Sequence, residues 1–191
     1  MITVGCDPDT HFPAFAAVQD GVLIWAGAGL VPKELTGDRA VGAALAEIVG
    51  VTESMAGIGF FDRMVVEGQA IYPDTPLGKS GIDGLFRVAH TAGAAALALW
   101  CLSPKAQILM PQPFEWKGNG SKVKYSKRLK GGDIHLAGIE PRKLPHIEDA
   151  IGLALWGESH RGTVAVANRD LMQRARAEAK KINAARRRAR S

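Results

Sequence analysis

The sequence predicts an α/β fold in which a mixed five-stranded sheet is flanked by helices. Three observations lead to this prediction. The chain opens with three short β-rich runs. Two later β-rich runs each follow a stretch with helical apolar spacing. The length of 191 residues, with 47% hydrophobic and 23% charged residues, suits one compact domain rather than a rod or a disordered chain.

Three antiparallel strands are expected at the start of the chain. Residues 2–7 (ITVGCD) alternate between two faces and end at the turn signal Pro8-Asp9. Residues 14–18 and 22–26 are apolar runs separated by a segment that contains Asp-Gly. Because Asp-Gly is a strong turn signal between apolar runs, these two strands should form a hairpin.

A helix and a fourth strand are expected next. Apolar side chains recur at helical spacing over 38–49, and Asp38 is a suitable N-cap. Residues 63–67 (RMVVE) form an apolar run that ends in a carboxylate. A strand, helix and strand in this order form a crossover between parallel strands. The fourth strand should therefore run parallel to an earlier one.

The second half of the chain continues the alternation of helices and strands. Its predicted elements are a loop over 68–82, an Ala- and Gly-rich helix over 82–102, a strand over 106–110, a polar loop over 111–133 and a helix over 147–156. We predict a folded domain over residues 1–162 and a basic C-terminal tail over residues 163–191, either a helix or a flexible arm.

No membrane span or secretory signal is expected, so the protein is predicted to be cytoplasmic. The longest apolar run, 92–102, has 11 residues, whereas a spanning helix needs about 20. Asp7 and Asp9 interrupt the first ten residues. The two cysteines, Cys6 and Cys101, lie in apolar stretches and are expected in the core as free thiols.

Two basic segments stand out against an acidic remainder. The net charge is +7 over 169–191 and +4 over 115–133, which leaves −6 on the rest of a chain of net charge +5. Two basic segments on an acidic body suit a polyanion, and nucleic acid is the expected partner. The alternative for the tail is a solvated helix without a binding role.

Four side chains could converge at one edge of the sheet. Asp7 and Glu67 end two strands whose carboxyl ends coincide if the strands are parallel neighbours, and such edges hold ligands in α/β folds. His146 and Asp149 are three residues apart and share a helix face. Clustered carboxylates repel unless cations lie between them, and oxygen ligands favour Mg²⁺ or Mn²⁺. Taken singly, each acid could instead be a turn, surface or helix-dipole residue.

Five segments resemble RuvC-type Holliday junction resolvases, in the same order along residues 1–157. They are ITVGCDPDTHFPAFAAV, MVVEGQAIY, FRVAHTAGAAALAL, PFEWKGNGSK and HIEDAIGLAL. Three features depart from that family's pattern. Asp9 replaces a glycine, Gly68 separates Glu67 from Gln69, and residues 73–81 look like an insertion. The resemblance therefore implies a divergent, phage-type relative with the RNase H-like (ribonuclease H) fold.

The resemblance also implies an activity and its catalytic residues. The protein would be a Mg²⁺-dependent endodeoxyribonuclease of DNA recombination and repair, which resolves four-way junctions in a bacterial or phage-infected cell. Hydrolysis with two Mg²⁺ ions per site, which Mn²⁺ can replace, would leave 5′-phosphate and 3′-hydroxyl ends. The implied metal ligands are Asp7, Glu67, His146 and Asp149, and Lys117 would approach the phosphates.

The same resemblance implies DNA-binding residues and a homodimer. A four-way junction has two strands to cut at symmetric positions, which favours a two-fold dimer, and the helix over 82–102 is the expected interface. Tyr72 or Ile71 matches the place of a bulky side chain that stacks at the junction centre. The predicted DNA-binding residues are Tyr72, Lys117, Lys122, Lys124, Lys127, Arg128, Lys130, Arg186, Arg187 and Arg188.

Other functions stay open at the level of sequence. A phosphate-binding loop at Gly78-Lys79-Ser80 is excluded because Pro73 stands where the first glycine is needed. A nuclease for other branched DNA or for RNA/DNA hybrids would share the same residues. A DNA-binding protein without catalysis would use only the basic segments, with the acids in structural roles.

Overall fold

A mixed five-stranded sheet lies at the centre of the computed structural model, which describes residues 1–68, 79–117 and 140–160. Its strands are β1 (Ile2–Asp7), β2 (Ala14–Gln19), β3 (Val22–Ala28), β4 (Arg63–Val66) and β5 (Gln107–Leu109). They lie in the order β3-β2-β1-β4-β5. The first three are antiparallel, whereas β4 runs parallel to β1 and β5 runs parallel to β4. The predicted fold class is confirmed.

The hairpin between β2 and β3 turns through the two residues Asp20 and Gly21. Both have positive φ angles, 53° and 82°. A two-residue turn with positive φ at both positions matches the right-handed twist of the flanking strands. The Asp-Gly dipeptide therefore forms the hairpin turn that the sequence predicts, and the register of the two strands shifts farther along, between Ala17 and Val18.

Helices cover both faces of the sheet. They are α1 (Gly37–Ser54), α2 (Lys79–Leu102), α3 (Pro113–Lys117) and α4 (Leu144–Ser159), with a short 3-10 turn at Ala56–Ile58. Helix α1 begins one residue before Asp38, so Asp38 lies in its first turn and Thr36 is the N-cap. Helix α3 lies in a segment that the sequence predicts to be loop. Its five residues are too few to show helical periodicity.

Two apolar clusters separate the helices by face. Alternate residues of β1, including Val4 and Cys6, pack with Ile48 of α1 and Leu99 of α2 on one face. On the other face, residues of β2 pack against α4. Cys101 is exposed at the end of α2, so the expectation that it lies in the core is wrong. Helix α2 is apolar on its outer side as well, so the sequence alone does not indicate which side of this helix faces the core.

Among the described residues, two segments are long and apolar enough to cross a membrane by length and composition, Gly37–Ile58 and Asp83–Leu102. They contain α1 and most of α2. In the structure both helices pack against the sheet and against each other. Their apolar composition therefore serves at least the packing of this face.

Close backbone approach brings α4 onto the sheet. A Cβ atom added to Gly5 of β1 would lie 2.0 Å from the carbonyl oxygen of Ala150. A Cβ atom added to Gly157 of α4 would lie 2.5 Å from the Cγ2 atom of Val65. Because neither glycine carries a side chain, α4 approaches the strands closely at its middle and near its C-terminal end. This approach brings the start of α4 beside the carboxyl end of β1.

Candidate active site

Two buried carboxylates follow neighbouring parallel strands. Asp7 ends β1, and Glu67 comes directly after β4. The register pairs Cys6 with Val66, and the backbone N–H of Glu67 donates to the carbonyl oxygen of Cys6 at 3.0 Å. Asp7 is 7% exposed and Glu67 is 8% exposed. The parallel pairing that the crossover predicts thus brings both acids to one edge of the sheet.

A third buried carboxylate belongs to α4. Asp149 is 5% exposed and lies in the second turn of the helix, because the helix begins at Leu144 rather than near residue 147. The favourable charge–dipole interaction of an acid is confined to the first turn. Asp149 therefore lacks the structural explanation that the sequence allowed for it. Pro145 near the start of the helix suits a position that needs no backbone N–H donor.

His146 contacts Asp7 directly. Nδ1 of His146 lies 2.9 Å from Oδ2 of Asp7. The imidazole also stacks on the ring of Phe12, with the ring centroids 5.2 Å apart. Two contacts, one polar and one apolar, thus orient the imidazole. His146 and Asp149 both lie at this edge of the sheet, as their spacing predicts.

Helix α3 brings Trp116 and Lys117 to the carboxylates. It begins with Pro113, and the carboxylate of Glu115 accepts a hydrogen bond from the backbone N–H of Gln112 at 2.6 Å. Proline at the first position and a glutamate that reaches back to the N-cap both favour the start of a helix. These local signals explain why the segment forms one turn of helix at this point.

Lys117 joins two of the carboxylates. Its ammonium nitrogen lies 3.0 Å from Oε1 of Glu67 and 3.2 Å from Oδ2 of Asp149. The same nitrogen lies 4.7 Å from the ring centroid of Trp116. A lysine ammonium thus occupies the space between two buried acids. This space accommodates a cation.

The electrostatics of the site are those of crowded, buried negative charge. Burial raises the pKa of Asp7 from 3.8 to about 6, and the charges of Glu67 and Asp149 add to this shift. The hydrogen bond to Asp7 raises the pKa of His146. Partial burial works against the charged form of Lys117, but the charges of Glu67 and Asp149 outweigh it and raise its pKa. Protons and internal cations thus offset the carboxylate charge.

The donor set fits hard divalent cations, although the side chains have not come together as ligands. In the part of the chain that the structure describes, no group of three or more His, Cys, Asp or Glu side chains could hold a metal ion as arranged. The reason is visible in the contacts, since Lys117 separates Glu67 from Asp149 and His146 contacts Asp7. Carboxylate oxygens suit Mg²⁺ and Mn²⁺.

The loop after β1 is held from two sides. The hydroxyl of Thr91 in α2 donates to the carbonyl oxygen of Pro8 at 2.6 Å. Oδ1 of Asp9 accepts hydrogen bonds from the backbone N–H groups of His11 and Phe12, both at 2.8 Å. Asp9 therefore forms a local turn. This contact gives a structural role to the residue that departs from the family pattern.

The structure brings Asp7, Glu67, His146, Asp149 and Lys117 together at one edge of the sheet. The remaining predicted DNA-binding residues lie outside the described residues. They are Tyr72, Lys122, Lys124, Lys127, Arg128, Lys130, Arg186, Arg187 and Arg188.

Sequence reasoning missed Trp116. It is 1% exposed, and its indole Nε1–H donates to Oε1 of Glu67 at 3.1 Å. A buried tryptophan usually finds a hydrogen-bond acceptor for its N–H. The usable signal in the sequence was therefore a tryptophan directly before Lys117, a predicted site residue.

Comparison with known proteins gives a structural match and no match by sequence. No family model matches the chain, and no curated protein matches it at a significant level. Thermus thermophilus RuvC in complex with Holliday junction substrate is similar, with a TM-score of 0.55 and 16% identity over 82% of this chain and 91% of that chain. A second Thermus thermophilus RuvC structure has a TM-score of 0.53 and 18% identity, covering 82% and 92%. The chain therefore has the RNase H-like fold of RuvC, which is the fold that the resemblance implies.

Proposed function

We propose that the protein is a Mg²⁺-dependent endonuclease that resolves four-way DNA junctions as a homodimer. The observation that carries the proposal is the meeting of three buried carboxylates, Asp7, Glu67 and Asp149, at the carboxyl ends of two parallel strands. Buried acids destabilise a fold unless they are paired or bind a cation. Their presence on a RuvC-like fold favours a catalytic role.

The residues of the chain would divide the work of hydrolysis. Bound divalent cations supply the charge that activates water and stabilises the leaving oxygen in an in-line displacement, which leaves 5′-phosphate and 3′-hydroxyl ends. Asp7, Glu67 and Asp149 would hold those cations, and His146 would orient Asp7 or bind a cation itself. Lys117, once replaced at the carboxylates, would reach the phosphate next to the cut.

Binding of DNA would depend on the two basic segments. The segment 115–133, which has a net charge of +4, begins at the active site, because its residue Lys117 contacts the carboxylates directly. The charge of +7 over 169–191 would add contacts to the arms of a junction. Cations that neutralise phosphates release counterions, so this binding should weaken steeply with salt. Stacking of Tyr72 on an unpaired base would favour a branched substrate.

A surface of α2 supports the homodimer. Phe86 is 60% exposed, Leu97 is 62% exposed and Trp100 is 45% exposed. These side chains recur at helical spacing on one side of the helix, with Gly93 between them. An exposed apolar stripe with a small residue at its middle suits close packing against a second copy. Two active sites related by a two-fold axis would match the symmetry of a four-way junction.

The test is cleavage of a synthetic four-way junction by the purified protein in Mg²⁺. We expect paired nicks at symmetric positions on opposite strands. The Asp7→Asn variant should bind the junction without cutting it, because one buried carboxylate is removed. Asp20→Asn is the matched control, since it makes the same chemical change at an exposed residue of the β2–β3 turn. This control should cut as the wild type does.

Other substrates separate the alternatives. Equal cutting of linear duplex, forks and flaps would replace junction resolution with a broader DNA nuclease. Preferential cutting of an RNA/DNA hybrid would identify a ribonuclease. Binding that is indifferent to Mg²⁺ and to Asp7→Asn, without any cutting by the wild type, would leave a DNA-binding protein that has no catalytic activity.

A further inference from the structure

We propose that Trp116 is a positioning residue for Glu67, whose carboxylate it holds in place while a divalent cation replaces the ammonium of Lys117. This proposal rests on the metal site of the proposed function and deepens it. It assigns a role to a residue that the motif resemblance leaves without one.

The geometry places two donors on one oxygen. The indole Nε1–H of Trp116 donates to Oε1 of Glu67 at 3.1 Å, and the ammonium of Lys117 lies 3.0 Å from the same oxygen. Trp116 and Lys117, which are adjacent in α3, thus both contact the carboxylate of Glu67. Lys117 also contacts Asp149, whereas the hydrogen bond from Trp116 is directed to Glu67.

The two donors differ in what they can do when a cation arrives. The ammonium of Lys117 ends a flexible side chain that is about one third exposed (31%), so it can move toward solvent or toward a phosphate. The indole of Trp116 is rigid and 1% exposed. If Glu67 and Asp149 held a divalent cation, its charge would repel the ammonium of Lys117, whereas the neutral indole would stay in place. Trp116 therefore keeps its hydrogen bond in both states.

A carboxylate that a hydrogen bond already holds in position binds a metal more tightly. A hydrogen bond to a ligating carboxylate orients it before the ion arrives, and loss of such a partner typically lowers metal affinity about 10- to 100-fold. The buried indole serves this purpose better than a second lysine, because it adds no positive charge near the cation.

The first experiment measures binding of Mn²⁺, without DNA, by the free-ion electron paramagnetic resonance signal. Trp116→Phe keeps an aromatic ring and removes the N–H donor, and it should lower Mn²⁺ affinity about 10- to 100-fold. Trp25→Phe is the matched control, because Trp25 lies on β3 in a different part of the fold. This control should bind Mn²⁺ as the wild type does. Equal affinity of Trp116→Phe and wild type would overturn the proposal.

The second experiment observes the hydrogen bond itself in the full-length protein. Four tryptophans give four indole N–H signals after ¹⁵N labelling, and Phe replacements at Trp25, Trp100 and Trp156 assign the fourth by elimination. The signal of Trp116 should exchange slowly with D₂O, and it should shift more than the others in Glu67→Gln. Saturating Mg²⁺ should leave it protected from exchange. A Trp116 signal that ignores Glu67→Gln, or loses its protection in Mg²⁺, would overturn the proposal.

The two experiments fail in distinguishable ways. A wild-type protein that binds no Mn²⁺ contradicts the metal site of the proposed function, and the response of the indole signal to Glu67→Gln then decides on positioning by Trp116. A wild-type protein that binds Mn²⁺ equally well without the indole N–H keeps the metal site and removes the role of Trp116.

Discussion

The backbone of Gly5 in β1 contacts the backbone of Ala150 in α4 directly. A methyl group on Gly5 would lie 2.0 Å from the carbonyl oxygen of Ala150 and 2.6 Å from the backbone nitrogen of Ala154. Gly5 lies two residues before Asp7, and Ala150 follows Asp149. The contact between strand and helix therefore sets how close the two carboxylates can come.

Replacement of Gly5 should damage both stability and the site. In Gly5→Ala the new methyl group meets rigid backbone, so α4 must shift, and we expect a loss of about 1–3 kcal/mol or more in the free energy of unfolding. Gly42→Ala is the control, because a Cβ atom on Gly42 of α1 meets nothing within 4 Å. This change should stabilise the helix by up to about 1 kcal/mol. Urea unfolding measures both, and an unaffected Gly5→Ala would contradict the close packing.

Because Asp7 is buried, its contribution to the free energy of unfolding should fall as pH rises. Its pKa is about 6 in the folded protein, against 3.8 as the ordinary value. Between these values the folded state binds more protons than the unfolded state, so the contribution of Asp7 to stability falls as pH rises. A rise of the pKa from 3.8 to about 6 corresponds to at most about 3 kcal/mol in the free energy of unfolding. The raised pKa of His146 acts in the same direction at higher pH.

The measurement compares wild type with Asp7→Asn in urea, in the presence of a chelator, from about pH 4 to pH 7. Asp7→Asn should gain in relative stability as pH rises, because it removes the buried charge. Asp20→Asn should follow the wild type, since Asp20 is an exposed turn residue. A constant difference between wild type and Asp7→Asn across this range would contradict the raised pKa.

The exposed stripe on α2 predicts an interface between two copies of the chain. Leu97→Glu places a charge on the stripe, and it should convert a dimer to a monomer in sedimentation velocity. Val49→Glu is the control on α1, where Val49 is 50% exposed. This variant should remain a dimer. If Val49→Glu dissociated the dimer and Leu97→Glu did not, the interface would lie on α1 instead. A monomeric wild type would contradict the proposed dimer.

The basic tail predicts a change in the salt dependence of DNA binding. Residues 169–191 contain nine basic and two acidic residues, so their deletion removes up to nine phosphate-binding side chains. On duplex DNA, the slope of log affinity against log salt falls by about 0.9 for each phosphate that the protein no longer neutralises. Fluorescence anisotropy of a labelled junction between low and moderate salt measures this slope. An unchanged slope would make the tail a solvated segment without a binding role.

Local patterns predicted the edge of the sheet where the carboxylates meet. Two-residue periodicity and the Asp-Gly turn predicted β1 to β3, and the crossover predicted that β4 is parallel to β1. Together these patterns are enough to bring Asp7 and Glu67 side by side. The pairing follows from rules about neighbouring segments and the handedness of their connections, and such rules can be read from one sequence.

The contacts of helix α3 were beyond the sequence. Helix α3 is shorter than two turns, and the acceptor for Trp116 lies 49 residues away at Glu67. Neither periodicity nor spacing can reveal such a contact. The same holds for Lys117. The family resemblance implies that it contacts phosphates, and the structure places it between two carboxylates.

The central claim is that three distant parts of the chain form one divalent-cation site, and iron-mediated cleavage tests it most directly. Fe²⁺ bound in place of Mg²⁺ generates hydroxyl radicals that cut the nearest backbone in the presence of ascorbate and peroxide. We predict cuts close to Asp7, Glu67 and Asp149 together, suppressed by excess Mg²⁺ and absent in Asp7→Asn. Cuts near none of the three, or near one alone and insensitive to Mg²⁺, would contradict the account.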